Sequence, residues 1–123
     1  MKKILIVEDE QIMLDLLEKK LKSHGYEVSS ARDGQAGLRL LKEQDSPDLI
    51  LMDLVMPKMN GYSVMEEIQK DEELKKIPLI VISNSGQPVE LDRIKELGAI
   101  DWLVKTEFDP QELLEKIKKQ LGE

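Results

Sequence analysis

The stretch "LILMDLVMPKMNG", Leu49 to Gly61, begins as a continuous apolar run and arrives at a carboxylate, Asp53. An apolar run of this length reads as a strand covered on both faces, as in a parallel sheet. Pro57 and the pair Asn60-Gly61 then mark a loop. A charge set where a buried strand runs out calls for a chemical reason, and the rest of the chain supplies its candidate neighbours.

Outward from this run, short apolar segments alternate with longer amphipathic ones. The central strand is predicted as "DLILM" (Asp48 to Met52), followed by "PLIVI" (Pro78 to Ile82) and "IDWLV" (Ile100 to Val104). Upstream lie "KILIV" (Lys3 to Val7) and the more polar, alternating "YEVSS" (Tyr26 to Ser30), which suits an edge. The intervening segments carry helical spacing. In the first, Ile12, Leu16, Leu17 and Leu21 form the predicted buried stripe, with Gly25 as its stop. The second spans about Gly34 to Glu43 behind the N-cap Asp33. The third starts near Gly61 with the stripe Val64, Met65 and Ile68, and the fourth runs from about Pro88 to Leu97 before Gly98. The last opens on "DPQE", with Asp109 as cap, Pro110 in the first turn and Glu112 completing a capping box. It buries Leu113, Leu114, Ile117 and Leu121.

Five βα units in succession predict an α/β, (βα)5 doubly wound fold: a five-stranded parallel sheet with helices on both faces. The flavodoxin-like strand order 2-1-3-4-5 puts the polar second strand at an edge. The whole chain, residues 1–123, is read as a single domain.

A hydrophobic fraction of 41% provides for one core. The net charge of −7 argues against direct nucleic-acid binding and against an anionic membrane surface. With no cysteine and a single histidine, His24, thiolate chemistry and multi-histidine metal sites are excluded. No run reaches the ~18 apolar residues of a membrane span, so a cytoplasmic protein is expected.

In an open parallel sheet, sites form beyond the carboxyl ends of the strands where the strand order reverses. The first strand ends in Glu8, Asp9 and Glu10, the third in Asp53, the fourth in Ser83 and the fifth in Lys105. Glu8, Asp9 and Asp53 should crowd together, and like charges so placed need either a proton or a cation. A hard divalent ion with oxygen ligands fits, Mg²⁺ being the common one. Lys105 adds a mobile positive charge, and Ser83 a hydroxyl for an incoming oxygen. A nucleophilic carboxylate, a cation, an ammonium and a hydroxyl together suit phosphoryl transfer onto Asp53. Glu10 reads as a first-turn acid favoured by the helix dipole rather than a ligand. His24 reads as a surface residue at a helix end. The methionines Met52, Met56, Met59 and Met65 read as packing, and "KDEELKK" (Lys70 to Lys76) as a solvated helix end or loop.

The segments "ILIVEDE", "LILMDLVMPKMNG", "PLIVIS" and "GAIDWLVK" closely resemble the response-regulator receiver domain of two-component phosphorelays, the CheY-like superfamily, over the whole chain. The resemblance implies that Asp53 is the phosphoacceptor, that Glu8 and Asp9 place Mg²⁺ with Asp9 the more direct ligand, and that the backbone carbonyl of Val55 is a further ligand. It makes Ser83 the switch hydroxyl and Lys105 the phosphate-pairing lysine. A histidine kinase would be the phosphodonor. The receiver would catalyse only its own phosphorylation and hydrolysis, not act as a metabolic enzyme. A downstream protein or output domain would read the surface of the fourth helix, fifth strand and fifth helix. A phosphorylation-dependent homodimer stays open, as does the choice between a stand-alone receiver and a domain cut from a longer regulator.

Several residues depart from the family pattern. Trp102 stands where receivers usually carry Tyr or Phe, and it is expected to stay outward or swing only partly. Thr106 replaces the usual proline after Lys105. A cis bond there costs ~3 kcal/mol against under ~1 for proline, so a trans bond, or a strained cis one held by the site, is expected. Asn84 follows Ser83 where smaller residues are common, which alters access for water. Val55 has no polar group to orient water, which predicts slow self-dephosphorylation. Two further readings compete: a receiver-like interaction module that never takes phosphate, and a Mg²⁺-dependent aspartyl phosphohydrolase. The latter usually has a second acid at the position of Val55.

Overall fold

The computed structural model describes residues 2–43, 46–84, 87–107 and 109–123. Strands β1 (Lys3–Val7), β2 (Glu27–Ala31), β3 (Leu49–Asp53), β4 (Leu79–Ser83) and β5 (Asp101–Val104) alternate with helices α1 (Gln11–Ser23), α2 (Gly34–Glu43), α3 (Gly61–Gln69), α4 (Pro88–Glu96) and α5 (Pro110–Leu121). Short 3₁₀ turns occupy Leu74–Lys76, inside the "KDEELKK" run, and Lys105–Glu107. All pairings are parallel, in the order β2-β1-β3-β4-β5, with the polar β2 at an edge as its alternation predicts.

The continuous apolar strands bury both faces because successive side chains point to opposite sides. Ile4, Ile6, Leu49, Leu51, Ile80 and Ile82 pack under α1 and α5. Leu5, Val7, Ile50, Met52 and Val81 pack under α2, α3 and α4. Met52, Met56 and Met65 are buried and Met59 packs half-buried against the core, as the packing reading requires.

The helix ends follow local chemistry. Asp33 accepts from the Ala36 amide at 2.7 Å, Asn60 from Ser63 at 2.9 Å, and Asp109 from Gln111 at 2.9 Å. Gly25 and Gly98 take φ of 87° and 102°, a left-handed backbone that glycine adopts at little cost.

The buried stripe of α1 corrects the one expected from sequence. Leu14, Leu17 and Leu21 are buried, whereas Ile12 is 87% exposed and Leu16 47% exposed. Both sets keep helical spacing, and contact with α5 and the sheet selects the face that carries Leu14.

Candidate functional site

The strand register assembles the site. Val7 lies beside Met52 and Asp53 beside Ile82, so Glu8 leaves β1 next to the carboxyl end of β3. Ser83 pairs with Val104, which delivers Lys105 to the same sheet edge. The amide of Glu8 donates to the Ala31 carbonyl at 3.0 Å, anchoring the chain as it leaves the sheet. Opposite, Gly61 donates to the Leu54 carbonyl at 2.9 Å and draws the loop after β3 into a tight return.

Glu8, Asp9 and Asp53 each bring a carboxylate oxygen within 4.8 Å of the others. Glu8 and Asp53 are buried and Asp9 is half-buried. The Lys105 ammonium sits 2.8 Å from Glu8 Oε1, 2.7 Å from Glu10 Oε1 and 3.2 Å from Asp53 Oδ2, among three acids, and donates to the last two. The contact to Glu8 is an ion pair without hydrogen-bond geometry, and neither oxygen of the buried Glu8 carboxylate has a hydrogen-bond partner.

These contacts set the charge states. Burial, then the neighbouring Asp53 carboxylate, push Glu8 from 4.5 up to about 8 against the opposing pull of Lys105. Asp9 is raised by the same two causes, burial first. For Lys105, burial favours the neutral amine, but Glu10, Glu8 and Asp53 outweigh it and hold the ammonium above the ordinary lysine range. A buried carboxylate with no donor and two acids held close to it make an oxygen-rich set that a hard divalent cation fits.

Around this centre, Val55 donates its amide to Asp53 Oδ1 at 3.4 Å and leaves its side chain 64% exposed. Ser83 is buried and its hydroxyl donates to a carboxylate oxygen of Glu90 in α4. Asn84 is exposed. Trp102 is half-buried, with the Lys95 ammonium 5.0 Å from the ring centroid. The Lys105–Thr106 bond is trans, for no peptide among the described residues is cis. His24 is exposed at the C-terminal end of α1.

Two residues were given no part in the site by the sequence reading. Glu10 does occupy the start of α1, but its carboxylate is spent on Lys105 instead of on the helix amides. Its signal was its place as the third acid of "EDE". Glu90, seven residues past Ser83, shows in sequence only as a first-turn acid of α4. A cavity of about 430 Å³ beside β1 and β2, lined by Lys3, Leu5, Glu27, Val28 and residues of α2, includes none of these acids. The acids lie at the carboxyl edge of the sheet, with Glu8 and Asp53 buried and Asp9 half-buried.

A family model described as "Response regulator receiver domain" matches residues 4–118. The "Probable transcriptional regulator ycf27" of Guillardia theta is 40% identical over 119 residues, covering 97% of this chain and 45% of that protein. This chain thus spans about half the length of such regulators. "Protein PilH" of Pseudomonas aeruginosa is 37% identical over 124 residues, covering 99% of both chains. Among solved structures, the receiver domain of the sensor histidine kinase PA1611 from Pseudomonas aeruginosa, with a magnesium ion coordinated in its active-site cleft, aligns at TM-score 0.89 and 30% identity over 99% of this chain and 98% of its own. Sheet order, acid cluster and relatives converge: this chain belongs to the receiver-domain family of two-component response regulators.

Proposed function

We propose that this chain is a phosphoacceptor switch, a single receiver domain over residues 1–123. Asp53 takes a phosphoryl group from the phosphohistidine of a histidine kinase. The observation that carries this reading is the gathering of Glu8, Asp9 and Asp53 within 4.8 Å, with the Lys105 ammonium 3.2 Å from Asp53. A carboxylate oxygen of Asp53 forms the new P–O bond as the P–N bond breaks, and the imidazole leaves with the electron pair. Rigid placement at the end of β3 fixes that oxygen at the carboxyl edge of the sheet, and positioning with charge neutralisation supplies most of the rate.

Glu8, Asp9, Asp53 and the Val55 carbonyl would hold Mg²⁺. When bound, the ion neutralises charge on the transferring group. Lys105 turns from its acids toward the phosphoryl oxygens, and the Ser83 hydroxyl donates to one of them. The resulting change passes to the surface formed by α4, β5 and α5, where a downstream protein or an output domain reads it. Trp102, capped by Lys95, takes part by a partial inward movement. We place this switch in the cytoplasm, with its kinase as phosphodonor. None of the described helices is long and apolar enough to cross a membrane.

Incubation with labelled acetyl phosphate and Mg²⁺ distinguishes the readings. Stable label on the protein supports the switch. No label points to a phosphate-independent interaction module, and rapid consumption of acetyl phosphate to a hydrolase.

A further inference from the structure

Ser83 closes β4 with its side chain buried, and its hydroxyl donates to the Glu90 carboxylate. Glu90 stands in the first turn of α4, where exposed amide N–H groups favour an acid, so two independent causes hold its charge there. α4 itself is thinly anchored. Ile94 is its one fully buried residue, Leu91 packs half-buried against the same core, and its other ties are polar. The Arg93 guanidinium lies 4.0 Å over the Tyr62 ring, Lys95 reaches Trp102, and Gln69 donates to the Leu97 carbonyl at 3.1 Å. Those ties hold the later turns of the helix. The Ser83–Glu90 bond holds its first turn to the carboxyl end of β4.

A serine hydroxyl carries one proton and donates it in one direction at a time. While Glu90 accepts it, no oxygen arriving at Asp53 receives it. We propose that Glu90 is a positioning residue: its carboxylate holds the Ser83 hydroxyl in the unphosphorylated chain and is exchanged for a phosphoryl oxygen on Asp53, freeing the first turn of α4. This inference rests on the reading of Asp53 and Ser83 given above. Because the two partners exclude each other, whatever Glu90 adds to the resting arrangement is subtracted from the phosphorylated one.

The test compares the unaltered chain with Glu90→Ala, Glu90→Gln, Ser83→Ala and the double variant Ser83→Ala/Glu90→Ala. Each is treated with limiting acetyl phosphate and Mg²⁺ and read by intact mass. Amide exchange of α4 is measured without phosphodonor. Glu90→Ala is expected to raise the phosphorylated fraction relative to the unphosphorylated by at least about 5-fold. Glu90→Gln, which keeps an acceptor oxygen but not the charge, gives a smaller rise. In the Ser83→Ala background, loss of Glu90 changes nothing further. Exchange at the start of α4 quickens equally in Glu90→Ala, Ser83→Ala and the double variant.

Equal phosphorylation of Glu90→Ala and the unaltered chain overturns the proposal. So does the same factor in both backgrounds, which marks a general charge effect on an anionic donor. Unchanged exchange in the single variants also overturns it. No uptake by the unaltered chain overturns the phosphoacceptor reading and the partner exchange with it, while the amide data still show whether the Ser83–Glu90 tie exists.

Discussion

At Glu8, burial and the adjacent Asp53 favour the protonated acid up to about pH 8, whereas a divalent ion requires the carboxylate. Mg²⁺ affinity is therefore expected to rise with pH toward 8, by up to about tenfold per unit, and then level off. Titration calorimetry in buffers of different ionisation heat checks this, and a flat profile without proton release contradicts it. Without metal the sign is opposite. The folded pKa of Glu8 lies above its unfolded value, so its stabilising contribution is full below pH 4.5 and fades as pH rises through about 8. Asp9 shifts in the same direction. Urea unfolding of metal-free protein should show this decline, and Glu8→Gln should flatten it. Lys105→Met leaves the acids without their internal cation and is expected to cost about 3 kcal/mol at pH 8. The cost should be smaller at pH 6, where Glu8 takes up a proton. The convergence of Glu8, Asp9, Asp53 and Lys105 was legible in the sequence because strand ends in a parallel sheet share one edge. Glu10 as a partner of Lys105 was not, since that contact spans 95 residues and joins two common residue types.

At the scale of elements, the apolar runs predicted every strand, but three of them sit one residue further along. β2, β3 and β4 end on Ala31, Asp53 and Ser83, so Asp53 and Ser83 belong to the sheet ladder rather than to the loops after it. Hydrophobicity does not mark this extension, because the terminal polar residues are held by backbone pairing with their neighbours. The stripe of α1 was misread for a related reason: Ile12 and Leu16 are as apolar as Leu14, and only tertiary packing selects the buried set. Gly61 links element to site. A Cβ there would overlap the Asp53 carbonyl oxygen and come within 2.8 Å of Leu54 Cα, both backbone atoms at the end of β3. Gly61→Ala should destabilise the fold by about 2 kcal/mol and slow phosphorylation at the same time. Thermal melts and acetyl phosphate uptake measure the two effects, and a variant with normal stability and rate refutes the coupling.

For the molecule as a whole, the order β2-β1-β3-β4-β5 sets β1 and β3 side by side at the reversal of the sheet. That single topological fact brings residues 8, 9 and 53 together. Around the finished site, the exposed Val55 offers no group to orient water, so the phosphoryl group should leave slowly. Substituting Val55→Asn should quicken its loss in a label-chase measurement, and an unchanged rate contradicts that role. The central claim concerns one side chain. Intact-mass measurement after acetyl phosphate and Mg²⁺ treatment should show a gain of about 80 Da on the unaltered chain and none on Asp53→Asn. A gain that persists in Asp53→Asn, or its absence from the unaltered chain, contradicts the account.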